Sequence, residues 1–390
     1  MRASATNTTA RAWTRRRRHW ASTRPRSWPA WAARPNRSPP SCTARIPRRN
    51  PDTTGPRPEY DNIPRRQLMK IMHLASALCA LALSATAAQA RDAAYPAQPI
   101  RLIVPFAPGS TSDTSGRVIA QQLASRLGQA VTVDNMPGAD GRIGIMAAKN
   151  APADGYTLVL GSWTNLSVNP IVVKDLPYDP LKDFKPISGV TRSMLGIAVP
   201  ANSPYKTLAD LVAAAKAQPE KLNFGNFAWG YRLATEWFSS IAGIRFTPIS
   251  YKSTSQMNTD LIGGQIDVAM DGVASLAPSA KAAKLRILAV TGEKRHVEFP
   301  DVPTIRESGY PDYTIYGWSA LMARTEVSDA ITRRLADTMK EVLDSKPIQE
   351  FAEKGGSELL KRDPEQMRAF NVKEIATLRT VADKAGLVAQ

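Results

Sequence analysis

Beyond residue 90 the sequence has no cysteine and a single histidine, His296; Cys42 and Cys79 both precede that point. The long C-terminal part therefore has no disulfide and no thiolate chemistry. With one imidazole it builds neither a Cys–His pair nor a histidine-rich zinc site. A Ser-His-Asp triad would have to use His296, which stands in the charged run Gly292-Glu-Lys-Arg-His296, and no Gly-x-Ser-x-Gly elbow occurs anywhere. No Walker lysine follows a glycine loop. Gly138, Gly141 and Gly144 are spaced G-x-x-G-x-x-G, not G-x-G-x-x-G, which suits turns better than a dinucleotide. No spacing singles out a pair of carboxylates for acid–base work. No catalytic residue, metal ligand or cofactor is assigned.

Lysine is missing from residues 1–68, which hold 16 Arg against only Asp52, Glu59 and Asp61, and so carry most of the formal charge of +17. They are rich in proline and show no apolar periodicity, so they bury too little surface to form a core. Arginine interleaved with tryptophan is one signature of a nucleic-acid arm, but the sequence after it favours another explanation. Met69-Lys70 leads into the apolar run Ile71–Leu83 and then into Ala88-Gln89-Ala90. That is the n-region, h-region and cleavage site of a secretory signal peptide, too short to span a bilayer. Residues 69–90 are thus expected to be removed after Ala90. Residues 1–68 are expected to be an upstream extension from a mis-set start codon, without nucleic-acid function. Arg65-Arg66 beside the signal leaves twin-arginine export open. Residues 91–390 are nearly neutral and long enough for two domains.

In that part strand and helix signals alternate. Ile100–Phe106 is a buried strand that breaks at Pro108-Gly109. Ser110, Thr111, Ser112 and Asp113 follow as helix-capping types, and Ile119, Leu123 and Leu127 lie on one face of the helix behind them. A strand, a glycine turn and a helix N-terminus make an anion site from free N–H groups and the helix dipole. Further polar or glycine-rich loops follow strands at 137–144, 161–165, 225–230 and 271–272. In an open α/β sheet such loops gather at the carboxyl edge, where ligands bind. Two sheets facing each other would enclose a cleft for a small anion. Residues 170–190 read as connecting loop, Thr207-x-x-Asp210 as a capping box, and two amphipathic helices close the chain, one along Ile331, Leu335, Met339 and Leu343 and one from Asp363-Pro364.

Tyr95-Pro-Ala-Gln-Pro-Ile-Arg-Leu-Ile-Val-Pro-Phe-Ala-Pro-Gly109 with Asp113 resembles the opening of the Bug proteins, extracytoplasmic solute receptors of tripartite tricarboxylate transporters. The likeness continues through Asn135-Met-Pro-Gly138, Pro152-Ala-Asp-Gly-Tyr-Thr-Leu158, Asp260-Leu-Ile-Gly-Gly-Gln265, Leu285-Arg-Ile-Leu-Ala-Val-Thr291 and Asp301-Val-Pro-Thr304. It implies an α/β, two-domain periplasmic-binding-protein fold of the class II type, with a ligand cleft between domains joined by a two-crossing hinge. On this chain the domains would be 95–195 with 315–390, and 200–312. It implies a periplasmic, monomeric, non-enzymatic receptor that captures a small carboxylate and hands it to the transporter's membrane subunits. A receptor for a membrane signalling protein, or a hydrolase or isomerase on the same fold, are the alternatives. The ligand residues are expected in the equivalent loops: Gly109, Ser110, Thr111 and Asp113; Ser162, Thr164 and Asn165; Asn226; and Asp271.

The chain departs from the family pattern with Ser110 in place of a second glycine, with Tyr251-Lys252-Ser253, and with a short loop in which Arg232 stands where a histidine is expected. Arg232, with Trp229 and Tyr231 as walls, would hold the carboxylate of a ligand with a sizeable apolar body; the alternative is a solvated arginine on a helix that starts later.

Overall fold

A computed structural model of the chain describes residues 95–387. The expected signal peptide and the segment before it lie outside the described residues.

Strand β1 (Ile100–Val104) starts the fold because its side chains divide between two apolar layers. Leu102 and Val104 join Ile119, Leu123 and Leu127 of helix α1 (Thr111–Leu127), all buried. Ile103 faces the other way, with Ile145 of α2 (Arg142–Lys149) and Val159 of β3 (Thr157–Ser162). Each such side chain contributes about 1.5–3 kcal/mol on burial. β1 lies between β2 (Val131–Asn135) and β3, parallel to both. After β3 a single wide turn, Thr164–Val168, runs into the short helix α3 (Asn169–Val172).

β4 (Phe184–Pro200) corrects the last part, 184–190, of the loop expected over 170–190. Phe184, Ile187 and Val190 are buried in it. The lysine and proline that disguised its start are accommodated because the register slips between Pro186 and Ser188, and a bulge spares the proline a ladder bond. β4 is also why the expected two sheets are joined. Its first part pairs with β9 (Tyr316–Arg324), and Leu195–Pro200 pair with β7 (Val268–Gly272) and β8 (Leu285–Val290), all antiparallel. Beyond β7 come β5 (Asn223–Asn226) and the edge strand β6 (Thr247–Ser250), parallel to one another. The order is β2-β1-β3-β9-β4-β7-β5-β6, with β8 and the two-residue β10 (Glu358–Leu359) also on β4.

The helices that bear on the site begin at the carboxyl ends of parallel strands. α4 (Leu208–Ala217) has the expected Thr207–Asp210 capping box. α5 (Trp229–Ala242) follows β5, α6 (Thr254–Ile262) follows β6, and α7 (Val273–Lys281) follows β7. At the end of the chain stand α8 (Asp329–Leu343), α9 (Lys346–Lys354) and α10 (Pro364–Lys384). α10 carries the Asp363 cap with Pro364 behind it. α9 is an additional helix, started by Pro347 in its first turn.

Candidate functional site

The loop after β1 turns at Gly109, whose φ of 81° suits a residue without Cβ. Ser110 then caps α1, its Oγ accepting the Asp113 N–H at 3.2 Å. This places Ser110, Thr111, Ser112 and Ser115 on one wall of a cavity. Ser162 and Thr164 come from the end of β3 and the turn behind it. Thr254 at the start of α6, and Asp271 and Gly272 at the end of β7, form the opposite wall. Thr191, Ser193 and Ser319 on the central strands β4 and β9 make the floor. Phe106, Trp163, Phe227, Tyr231 and Trp318 fill in between them. The space open to a water-sized sphere is about 90 Å³, room for a small molecule rather than a polymer.

Two features decide the cavity's chemistry. The helices α1, α6 and α7 all present their N-termini to it, through Thr111, Thr254 and Gly272. Each contributes free N–H groups and the positive end of a dipole, worth about 0.3–1 kcal/mol toward an anion. Among the described residues no lysine or arginine lines it, while ten serine and threonine side chains do. The Ser162 Oγ is buried without a hydrogen-bond partner.

Among the described residues the only carboxylate on the lining is that of Asp271. Burial pushes it up to about 6, although the Ser275 hydroxyl, the Gly272 N–H and the Asn258 amide act in the opposite sense. Tyr231, also on the lining, is held neutral by burial and by Asp271.

Of the residues expected from sequence, Ser110, Thr111, Ser162, Thr164 and Asp271 line the cavity. The other six do not. Asp113 turns back to accept the Gly109 N–H at 2.9 Å and to pair with Arg117. Burial works against its charge, but those hydrogen bonds keep its carboxyl below the usual range. It fastens the loop, with Gly109 as its partner. Asn165 is fully buried behind the wall, its Oδ1 accepting the Ser162 N–H at 2.9 Å. Asn226 is buried at the end of β5. Trp229 opens α5, and the Arg232 guanidinium lies 4.8 Å over its ring. Arg232 also stands 3.8 Å from Glu236, one turn on. Their attraction and the indole face hold the cation along the helix, away from the cavity. His296 is off the cavity too, its Nε2 2.9 Å from the Gly356 carbonyl oxygen.

Thr191, Ser193, Ser319 and Thr254 escaped the sequence reading. The first three are small polar residues inside otherwise apolar strands, a signal available only once β4 and β9 are seen to be central. Thr254 follows Ser253, the N-cap of α6.

A family model described as the tripartite tricarboxylate transporter family receptor matches residues 116–387. The chain is similar to BugT of Bordetella pertussis, at 35% identity over 296 residues, 75% of this chain and 90% of that protein. It is 39% identical to a UPF0065 protein of Bordetella bronchiseptica over 259 residues, 65% of this chain and 76% of that one. Among solved structures it resembles R. palustris Rpa4515 with adipate, with a TM-score of 0.73 and 31% identity, covering 76% of this chain and all of that one. The α/β fold is that of periplasmic solute-binding proteins.

Proposed function

Because this chain belongs to the tripartite tricarboxylate transporter receptor family, we propose that it captures a small carboxylate in the periplasm and delivers it to the transporter's membrane subunits. The observation that carries this reading is the cavity wall: ten hydroxyls and three helix N-termini with no side-chain cation among the described residues. Such a wall holds a carboxylate by N–H and O–H donation, and releases it without breaking an ion pair.

The aromatic rings favour a ligand with an apolar segment beside its carboxylate. The adipate in Rpa4515 has that character. Residues 95–195 with 315–390 form one domain in this reading and 200–312 the other. They close on the ligand by flexing within β4 and in the segment before β9. The receptor works as a monomer, exported by the signal at residues 69–90 and cleaved after Ala90. It is a receptor and not an enzyme, a reading supported by the receptor role of its family.

Mass spectrometry of ligand released from protein purified under native conditions tests this. A small carboxylic acid is the expected result. A sugar, a peptide or a basic amine released in stoichiometric amount would refute it.

A further inference from the structure

We propose that Asp271 selects among carboxylate ligands by requiring a hydrogen-bond donor, a hydroxyl or an ammonium, on the part of the ligand that meets the end of β7. This rests on the carboxylate-receptor reading above and adds to it the class of ligand.

Among the described residues Asp271 is the lone acid in a cavity otherwise built to attract anions. Asp271 is 2% exposed, and its Oδ1 accepts the N–H of Gly272 at 2.7 Å. The Asn258 amide reaches its Oδ2 at 3.4 Å and lies closer to the Ser275 hydroxyl, at 3.1 Å, which also supports the carboxylate, so three donors meet four acceptor positions. A lone pair on the Asp271 carboxylate is therefore left for the ligand.

The groups facing Asp271 are Tyr231 on α5, Asn258 on α6, Ser275 on α7 and Gly196 opposite it on β4. None is a cation. A ligand carboxylate pressed against an ionised Asp271 would meet like charge with no guanidinium or ammonium to offset it, in a site with little water to screen it. A hydroxyl or ammonium at that point turns the repulsion into a charge-assisted hydrogen bond. A plain dicarboxylate is accommodated only when Asp271 takes up a proton and becomes the donor, as two carboxyls sharing one proton do. Its raised pKa puts that exchange within reach near neutral pH.

The test is calorimetric titration of the chain with matched probes, succinate and adipate against their analogues in which one terminal carboxylate is replaced by hydroxymethyl or aminomethyl. At about pH 8 the hydroxyl or amino analogue of at least one pair should bind about tenfold or more tighter than its dicarboxylate. Lowering the pH to about 5, where Asp271 already carries its proton, should erase the difference, whereas dicarboxylate binding at about pH 8 should take up close to one proton. Asp271→Asn should abolish both the preference and the pH dependence. Equal affinity of each pair at both pH values, with carboxylate binding intact, overturns the role of Asp271 and leaves the receptor reading standing. Failure of every probe to bind overturns both. The wild-type pH series decides the matter even if the variant does not fold.

Discussion

The carboxylate of Asp140, in the turn after β2, accepts the backbone N–H of Trp229, the first residue of α5, at 3.4 Å. α5 has no capping side chain of its own, because Ala228 holds the N-cap position. Asp140 supplies one from a distant part of the chain, and thereby ties the β1–β3 side of the molecule to the helix after β5. Its backbone is left-handed, with φ of 54°, beside Ala139 at 48°. Asn tolerates that conformation far better than Ala does. Burial raises the Asp140 carboxyl, and the Trp229 N–H and Arg142 oppose the shift.

Asp140→Ala should destabilise the protein by about 0.5–2 kcal/mol, the cost of a lost cap. Asp140→Asn should stay within about 0.5 kcal/mol of wild type. Urea unfolding midpoints for the two variants check this. Equal midpoints would show that the contact contributes nothing.

Gly230 sits where α5 approaches the cavity wall. A Cβ there would fall 2.6 Å from the Thr164 Oγ1 and 2.7 Å from the Trp163 ring. Gly230→Ala must displace one of these lining residues, and overpacking of this kind costs about 1–3 kcal/mol. Ligand affinity should drop about tenfold or more, read by calorimetry on folded protein. Unchanged affinity would show that Trp163 and Thr164 yield freely.

Arg232→Gln should leave ligand affinity within about twofold of wild type and cost about 1 kcal/mol of stability, as for a partly buried helical ion pair of long geometry. A large loss of affinity would mean that the guanidinium leaves Trp229 and Glu236 to meet the ligand.

Asp271→Asn should stabilise the unliganded protein at neutral and higher pH. The folded-state pKa of Asp271 is raised, so the folded protein binds a proton more readily than the unfolded chain. Stability therefore falls as pH rises from the unfolded value through about 6, and the penalty is complete above it. The gain for Asn should be on the order of 2–3 kcal/mol at about pH 8 and vanish below about pH 4. Thermal unfolding of both proteins across that range reads it. A gap that widens toward acid would reverse the sign and contradict the burial of an ionisable Asp271.

The first wall of the site was legible because its signal is local. A buried strand, a turn at Gly109 and a capping Ser110 followed by an apolar helical face lie within one short stretch, and each reports the same geometry. Ser162, Thr164 and Asp271 were legible for a related reason, since loops after parallel strands share an edge. Side-chain direction was not legible. Asp113 and Asn165 have the chemistry of ligand groups, but they turn inward to satisfy the N–H groups of their own loops, Gly109 in one case and Ser162 in the other. The direction of Arg232 depends on Glu236, one helical turn away, and on the Trp229 ring, contacts that residue type alone does not announce. The floor residues Thr191, Ser193 and Ser319 depend on the pairing of β4 with β9, which links residues more than a hundred positions apart, and no local pattern announces it.

The central claim is that this cavity recognises a carboxylate through hydroxyls and helix N-termini. The most direct measurement is calorimetric titration of the chain with the acid recovered from native purification and, in parallel, with its primary amide. The amide keeps the shape and loses the negative charge. The acid should bind about a hundredfold or more tighter than the amide, a difference of roughly 3 kcal/mol. Equal affinity for the two would contradict the account.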